Sequence, residues 1–155
     1  MPKCIVVLAA AVLLLLAAVA CGAGKAAVDP ANAAVISQVA GARPALDAAL
    51  LRLERADAAM RDGRREKAAR DLAAAGLKLK EAGPVDTTGA ATGDALRLSA
   101  DCKAYVQAQT VYLLGLSAWI ADASSGADPP SDLRARRVWC EKMKATLDAD
   151  LAGGT

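Results

Sequence analysis

Residues 94–123 read DALRLSADCKAYVQAQTVYLLGLSAWIADA. Leu98, Cys102, Tyr105, Val106, Gln109, Tyr112, Leu113, Leu116, Trp119, Ile120 and Ala123 recur at three- and four-residue steps, the spacing of one helix face. The spacing predicts a helix over 95–123, the longest in the chain, with Asp94 as its N-cap. At 1.5 Å per residue it would span roughly 45 Å. The stripe is wider than a two-stranded seam needs, so the helix is expected to face at least two neighbours. Val111 to Ala121 is nearly apolar throughout but shorter than the roughly 20 residues that cross a bilayer.

Outward from this segment the punctuation is helical everywhere. Asp29-Pro30 reads as an N-cap followed by proline at the first helical position, opening a short helix over 30–41 that ends at Gly41. Pro44 opens the next, whose stripe is Leu46, Leu50, Leu53, Ala56 and Met60. Gly63, inside a charged run, is read as a turn rather than as part of one long helix. A further helix over 64–82 carries Ala68, Leu72, Ala75 and Leu79 and stops at Gly83-Pro84. Loops follow over 84–93 and 124–130, and Ser131 is expected to cap a last helix over 132–151, with Leu133, Cys140, Met143, Leu147 and Leu151 inward. No segment alternates as a strand would. The expected fold is all-α, a four- to five-helix bundle-like single domain over 29–155.

Ahead of that domain stands a different kind of sequence. Lys3 is followed by Ile5 to Ala20, a run without a charged or polar side chain, which is the layout of a secretory signal. Small residues close the run before Cys21-Gly22. Ala18-Val19-Ala20 is a cleavage site for ordinary secretion, and Ala18-Val19-Ala20-Cys21 also resembles the lipobox of bacterial lipoproteins. That resemblance covers about twenty residues and departs from the usual pattern where Ala18 stands in place of Leu. It implies a signal peptide over 1–20, a diacylglycerol on the Cys21 sulfur with a further acyl chain such as palmitate on its amine, and a tether over 21–28. Several chains together anchor firmly, since each buried methylene contributes about 0.8 kcal/mol. Gly22 is not the Asp that often marks inner-membrane retention, so the outer membrane is favoured in an organism that has one. Plain secretion without lipid stays open as an alternative.

Composition excludes several classes. Lys3 is the one charged residue among the first twenty, so 19 basic residues less one leaves 18 against 17 acidic ones, a balance that gives no broad field for nucleic acid. The chain has no His, which removes the commonest general base, the His-containing triads and His-based metal sites. No enzyme, cofactor or metal is expected. Cys102 and Cys140 are too few for a thiolate zinc site, and in an exported chain they are expected to form a disulfide closing a loop of 38 residues, the difference of their numbers. A tight antiparallel pairing of the last two helices would keep these cysteines apart, so the bond requires the connecting loop to run back along the long helix.

Three features are candidates for recognition. Tyr105, Tyr112 and Trp119 form a seven-residue ladder, read either as a ligand or partner groove or as core and rim packing. Arg134, Arg136 and Arg137 are less compensated by acids than the cluster around Arg64 and could touch an anionic surface. Residues 48–79 are faintly similar to one tetratricopeptide repeat at Ala56, Gly63, Ala68, Leu72 and Ala75, but Arg52 and Arg55 stand where that motif is large and apolar. The expected role is a non-enzymatic, membrane-tethered envelope protein that binds or scaffolds a protein partner; the rival is a carrier of a small ligand or lipid on the Tyr105/Tyr112/Trp119 face.

Overall fold

The structure, a computed structural model, describes residues 29–85, 92–122 and 128–153. The signal-peptide, lipidation and tether expectations on residues 1–28, Cys21 included, lie outside the described residues. Four helices and no strand occur among the described residues: α1 (Pro30–Arg61), α2 (Arg65–Ala82), α3 (Gly93–Asp122) and α4 (Leu133–Gly153).

The Asp29 carboxylate accepts the Ala31 N–H at 2.9 Å, with Pro30 in the first turn, so α1 starts as its sequence predicts. It does not stop at Gly41. One helix of 32 residues runs through Pro44, and it, not α3 with 30, is the longest. Pro44 has no N–H for the Ala40 carbonyl. Both residues are solvent-exposed, so water can satisfy that carbonyl, while Val39 and Leu46 on either side are fully buried and hold the two halves on one core. Tertiary burial outweighs the local break signal.

Gly63, with φ 72°, makes the expected turn, and Gly83, with φ 67°, ends α2 before Pro84. α3 begins at Gly93, one residue before its expected cap, which places Asp94 in the first turn, where its charge still suits the helix dipole. At α4 the first-turn bond runs from Arg136 N–H to the Asp132 carbonyl, so Asp132 and not Ser131 precedes the helix.

Side-chain bonds fix the arrangement. Arg52 to Asp71 makes α1 and α2 antiparallel; Arg97 to Asp150 does the same for α3 and α4, and Arg43 to Asp148 for α1 and α4. Tyr105 to Asp47 and Tyr112 to Asp57 make α1 and α3 parallel. The chain therefore runs up, down, up, down. α1 and α3 form the packed diagonal, contributing most of the buried side chains, while α2 buries only Ala68, Asp71 and Ala75 and α4 only Leu133, Cys140 and Leu147.

Leu46, Leu53 and Leu116 are wholly buried, each removing apolar surface worth roughly 1.5–3 kcal/mol. Around them Ala49, Ala56, Ala68, Ala75 and Ala108 are equally buried and let the backbones come close. Among the described glycines the closest approach is at Gly115, where an added Cβ would stand 3.0 Å from Arg136 Nη1 and 3.1 Å from Leu133 Cδ1.

Candidate functional site

Asp57 and Gln109, two of the buried polar residues, sit between α1 and α3. Tyr112, fully buried, donates its hydroxyl to Asp57 Oδ2 at 3.2 Å, and Asp57, itself 4% exposed, also accepts from Arg61 Nε at 3.1 Å. Arg61 in turn lies over the Trp119 ring, 5.9 Å from its centroid, within cation–π range. Gln109 donates to the Leu46 carbonyl at 3.0 Å, leaving its own buried Oε1 without a partner among the described residues. Tyr105 donates to Asp47 Oδ1 at 3.4 Å, and Asp47 joins Arg43, Lys144 and Asp148 in an ion-pair network between α1 and α4. Burial first, then the neighbouring carboxylates Asp47 and Asp57, push both tyrosine hydroxyls above their ordinary range. These hydroxyls stay neutral donors.

This settles the aromatic ladder. Tyr105 and Tyr112 are 0% exposed and Trp119 only 6%, so the three form core, not a ligand or partner face. The two tyrosine hydroxyls reach carboxylates of α1. Asp57 is a core residue that a hydrophobic stripe does not mark, because its side chain is charged; its signal is position, four residues after Leu53 and three before Met60.

The expected disulfide is not formed: Cys102 and Cys140 are free thiols, both fully buried. The reason is register. Arg97–Asp150 and Arg136 Nη1 to the Val111 carbonyl, at 2.9 Å, set one antiparallel register, in which Leu133 starts level with Leu114. α4 thus starts level with a point about eight residues before the end of α3, and Cys140 comes level with Gln107, five residues short of Cys102. That separation is about 8 Å along the axis, against the ~7 Å Cα limit for a bond. Burial pushes the Cys140 thiol up to about 12 and raises Cys102 too, so neither is a reactive thiolate.

Of the three arginines of α4, Arg136 is tied to Asp132 and to the Val111 carbonyl, and Arg137 to Glu141 at 2.9 Å. Arg134 alone is exposed without an ion pair among the described residues. The structure does not assemble the three into one basic face.

The described residues also form surface hollows, three of which are the following. One of about 490 Å³ surrounds the α1–α2 turn and is lined by Gly63, Arg64, Arg65, Glu66, Lys67 and Arg70. A smaller apolar cleft of about 270 Å³ lies where Gly83, Pro84 and Val85 meet Cys102, Lys103 and Val106. A third, about 310 Å³, opens at the other end of the bundle among Asn32, Ile36, Asp94, Leu98 and Asp150. Among the described residues no group of three or more His, Cys, Asp or Glu is placed to hold a metal ion, and no helix is long and apolar enough to cross a membrane. No protein-family model, curated protein or solved structure matches the chain, so the tetratricopeptide likeness of residues 48–79 gains no support beyond a helical hairpin.

Proposed function

We propose that the chain is a cell-envelope lipoprotein, non-enzymatic, whose helical domain is moored by lipid on Cys21 and engages a protein partner. The single observation that carries this is the sequence Ala18-Val19-Ala20-Cys21 at the end of an uncharged apolar run. Two further features support it. α1 opens at Pro30, nine residues after Cys21, so the mooring lies at the Pro30 end of the bundle. The turn at Gly63 then stands at the far end of a helix about 48 Å long. There Arg65 and Lys67 are exposed, with no ion pair among the described residues, and are suited to an acidic partner surface.

The test is membrane fractionation of Cys21→Ser beside the native chain, with labelled palmitate as the tracer. The native protein is expected in the membrane fraction carrying label, and the variant in the soluble fraction without it. An intact leader on a cytosolic native product would overturn the reading.

A further inference from the structure

α1 carries two residues that weaken a helix, Gly41 and Pro44, three apart and both exposed. Packing does not ask for the glycine: an added Cβ there would meet nothing within 4 Å, and Gly41 is not among the glycines with positive φ. Pro44 leaves the Ala40 carbonyl without its helical donor.

The support given to α1 changes at the same place. The Arg52–Asp71 pair sets the register of α2 on α1, and Ala82, eleven residues past Asp71, ends α2 level with Gly41, eleven before Arg52. Pro30–Ala40 therefore projects past α2. Of those eleven residues Val35 and Val39 are buried, against nine of the twenty from Ala42 to Arg61. Ile36, partly buried beside Ala95 and Leu98, adds to the hold, as does Asn32 Oδ1, which accepts the Thr92 N–H at 3.0 Å. Arg43 pins the junction: its Nε donates to Asp47 Oδ2 at 3.0 Å and its Nη2 pairs with Asp148 of α4.

We propose that Pro30–Ala40 is a strap that swings off α3 and α4 as one piece about a hinge at Gly41–Pro44, while α2, α3, α4 and the rest of α1 stay folded. Arg43, tied to both Asp47 and Asp148, is the fixed side of the hinge. Opening lifts Val35 and Val39 out of the core and uncovers Ala95 and Leu98, both buried in the closed form. Reburial of that apolar surface keeps the closed form dominant. The buried bonds that Leu46, Asp47 and Asp57 make to α3 all lie past the hinge, and opening leaves them intact. Strap motion therefore costs much less than unfolding the bundle, which makes it an opening unit of its own. Fraying from Pro30 inward is a different process. It is graded along the segment and does not feel residues 41 and 44, whereas a hinge breaks the helix there and opens less readily when both are better helix formers.

The experiment is amide hydrogen exchange of the full chain at a single pH, corrected for intrinsic rates, in the native protein, in Gly41→Ala and in the double variant Gly41→Ala/Pro44→Ala. In the native protein, amides of 34–43 are expected to share one level of protection, at least about tenfold below that of 46–60, with the step at Pro44. Protection of 34–43 should rise about fivefold in G41A and at least about tenfold in the double variant. Equal protection on the two sides of Pro44 overturns the strap, as does protection that climbs residue by residue from 34 with no step. So does protection of 34–43 that G41A leaves unchanged, and this single variant decides even if the double one fails to fold.

Discussion

Replacing Tyr112 with Phe keeps the ring, and so the core volume, and removes one hydroxyl from a wholly buried site. That hydroxyl bonds a carboxylate, and hydrogen bonds to charged groups contribute roughly 1.5–3 kcal/mol net. Asp57 keeps Arg61 at 3.1 Å, which puts the loss at the low end, about 1.5 kcal/mol. For a domain of this size that is a fall in Tm of about 6 °C. Tyr105→Phe is the internal control. Its bond is longer, at 3.4 Å, and Asp47 is more exposed and already paired with Arg43 and Lys144. The loss there is expected below about 1 kcal/mol. Thermal and urea melts followed by circular dichroism measure both, and a double-mutant cycle of Tyr112→Phe with Asp57→Ala should return a coupling of about 1 kcal/mol. If Tyr105→Phe proves as damaging as Tyr112→Phe, or if the cycle is additive, the buried Tyr112–Asp57 bond is not what joins α1 to α3.

Two further perturbations test the fold's exceptions. Pro44→Ala restores an N–H for the Ala40 carbonyl within a continuous helix, so Tm should rise by several degrees, reflecting roughly 1–2 kcal/mol after the loss of proline's restraint on the unfolded chain; a fall would mean that the proline bend itself is needed for packing. With Cys4 and Cys21 replaced by Ser, a thiol reagent at pH 8 should find no reactive group in the native protein and two on unfolding without reductant, because Cys102 and Cys140 are unbonded and buried; no thiol on unfolding would reveal a disulfide after all.

Much of the fold was legible because helix periodicity and strong stops agreed. The stripe from Leu98 to Trp119, the turn at Gly63 and the end at Gly83-Pro84 all stand where the sequence places them. The break at Gly41 to Pro44 misled because punctuation is a local signal, whereas the burial of Val39 and Leu46 on a shared core is not. The candidate sites were less legible. Tyr105 and Tyr112 gain their meaning from Asp47 and Asp57, more than fifty residues earlier, and nothing local to either tyrosine announces that pairing. The cysteines carried the right environment but not their relative height, which is set by the Arg97–Asp150 and Arg136–Val111 contacts between α3 and α4.

The bonds between the parallel helices α1 and α3 have a mechanical consequence. A pull on Pro30 along the bundle axis loads α1 in shear against α3. Tyr112–Asp57, Gln109 to the Leu46 carbonyl and Tyr105–Asp47 lie side by side across that plane. Slippage by one helical turn, about 5.4 Å, would rupture all three together and strand the Gln109 amide and the Tyr112 hydroxyl in a dry interior. Under tension the domain should behave as a stiff strut that yields abruptly, not as a spring that extends.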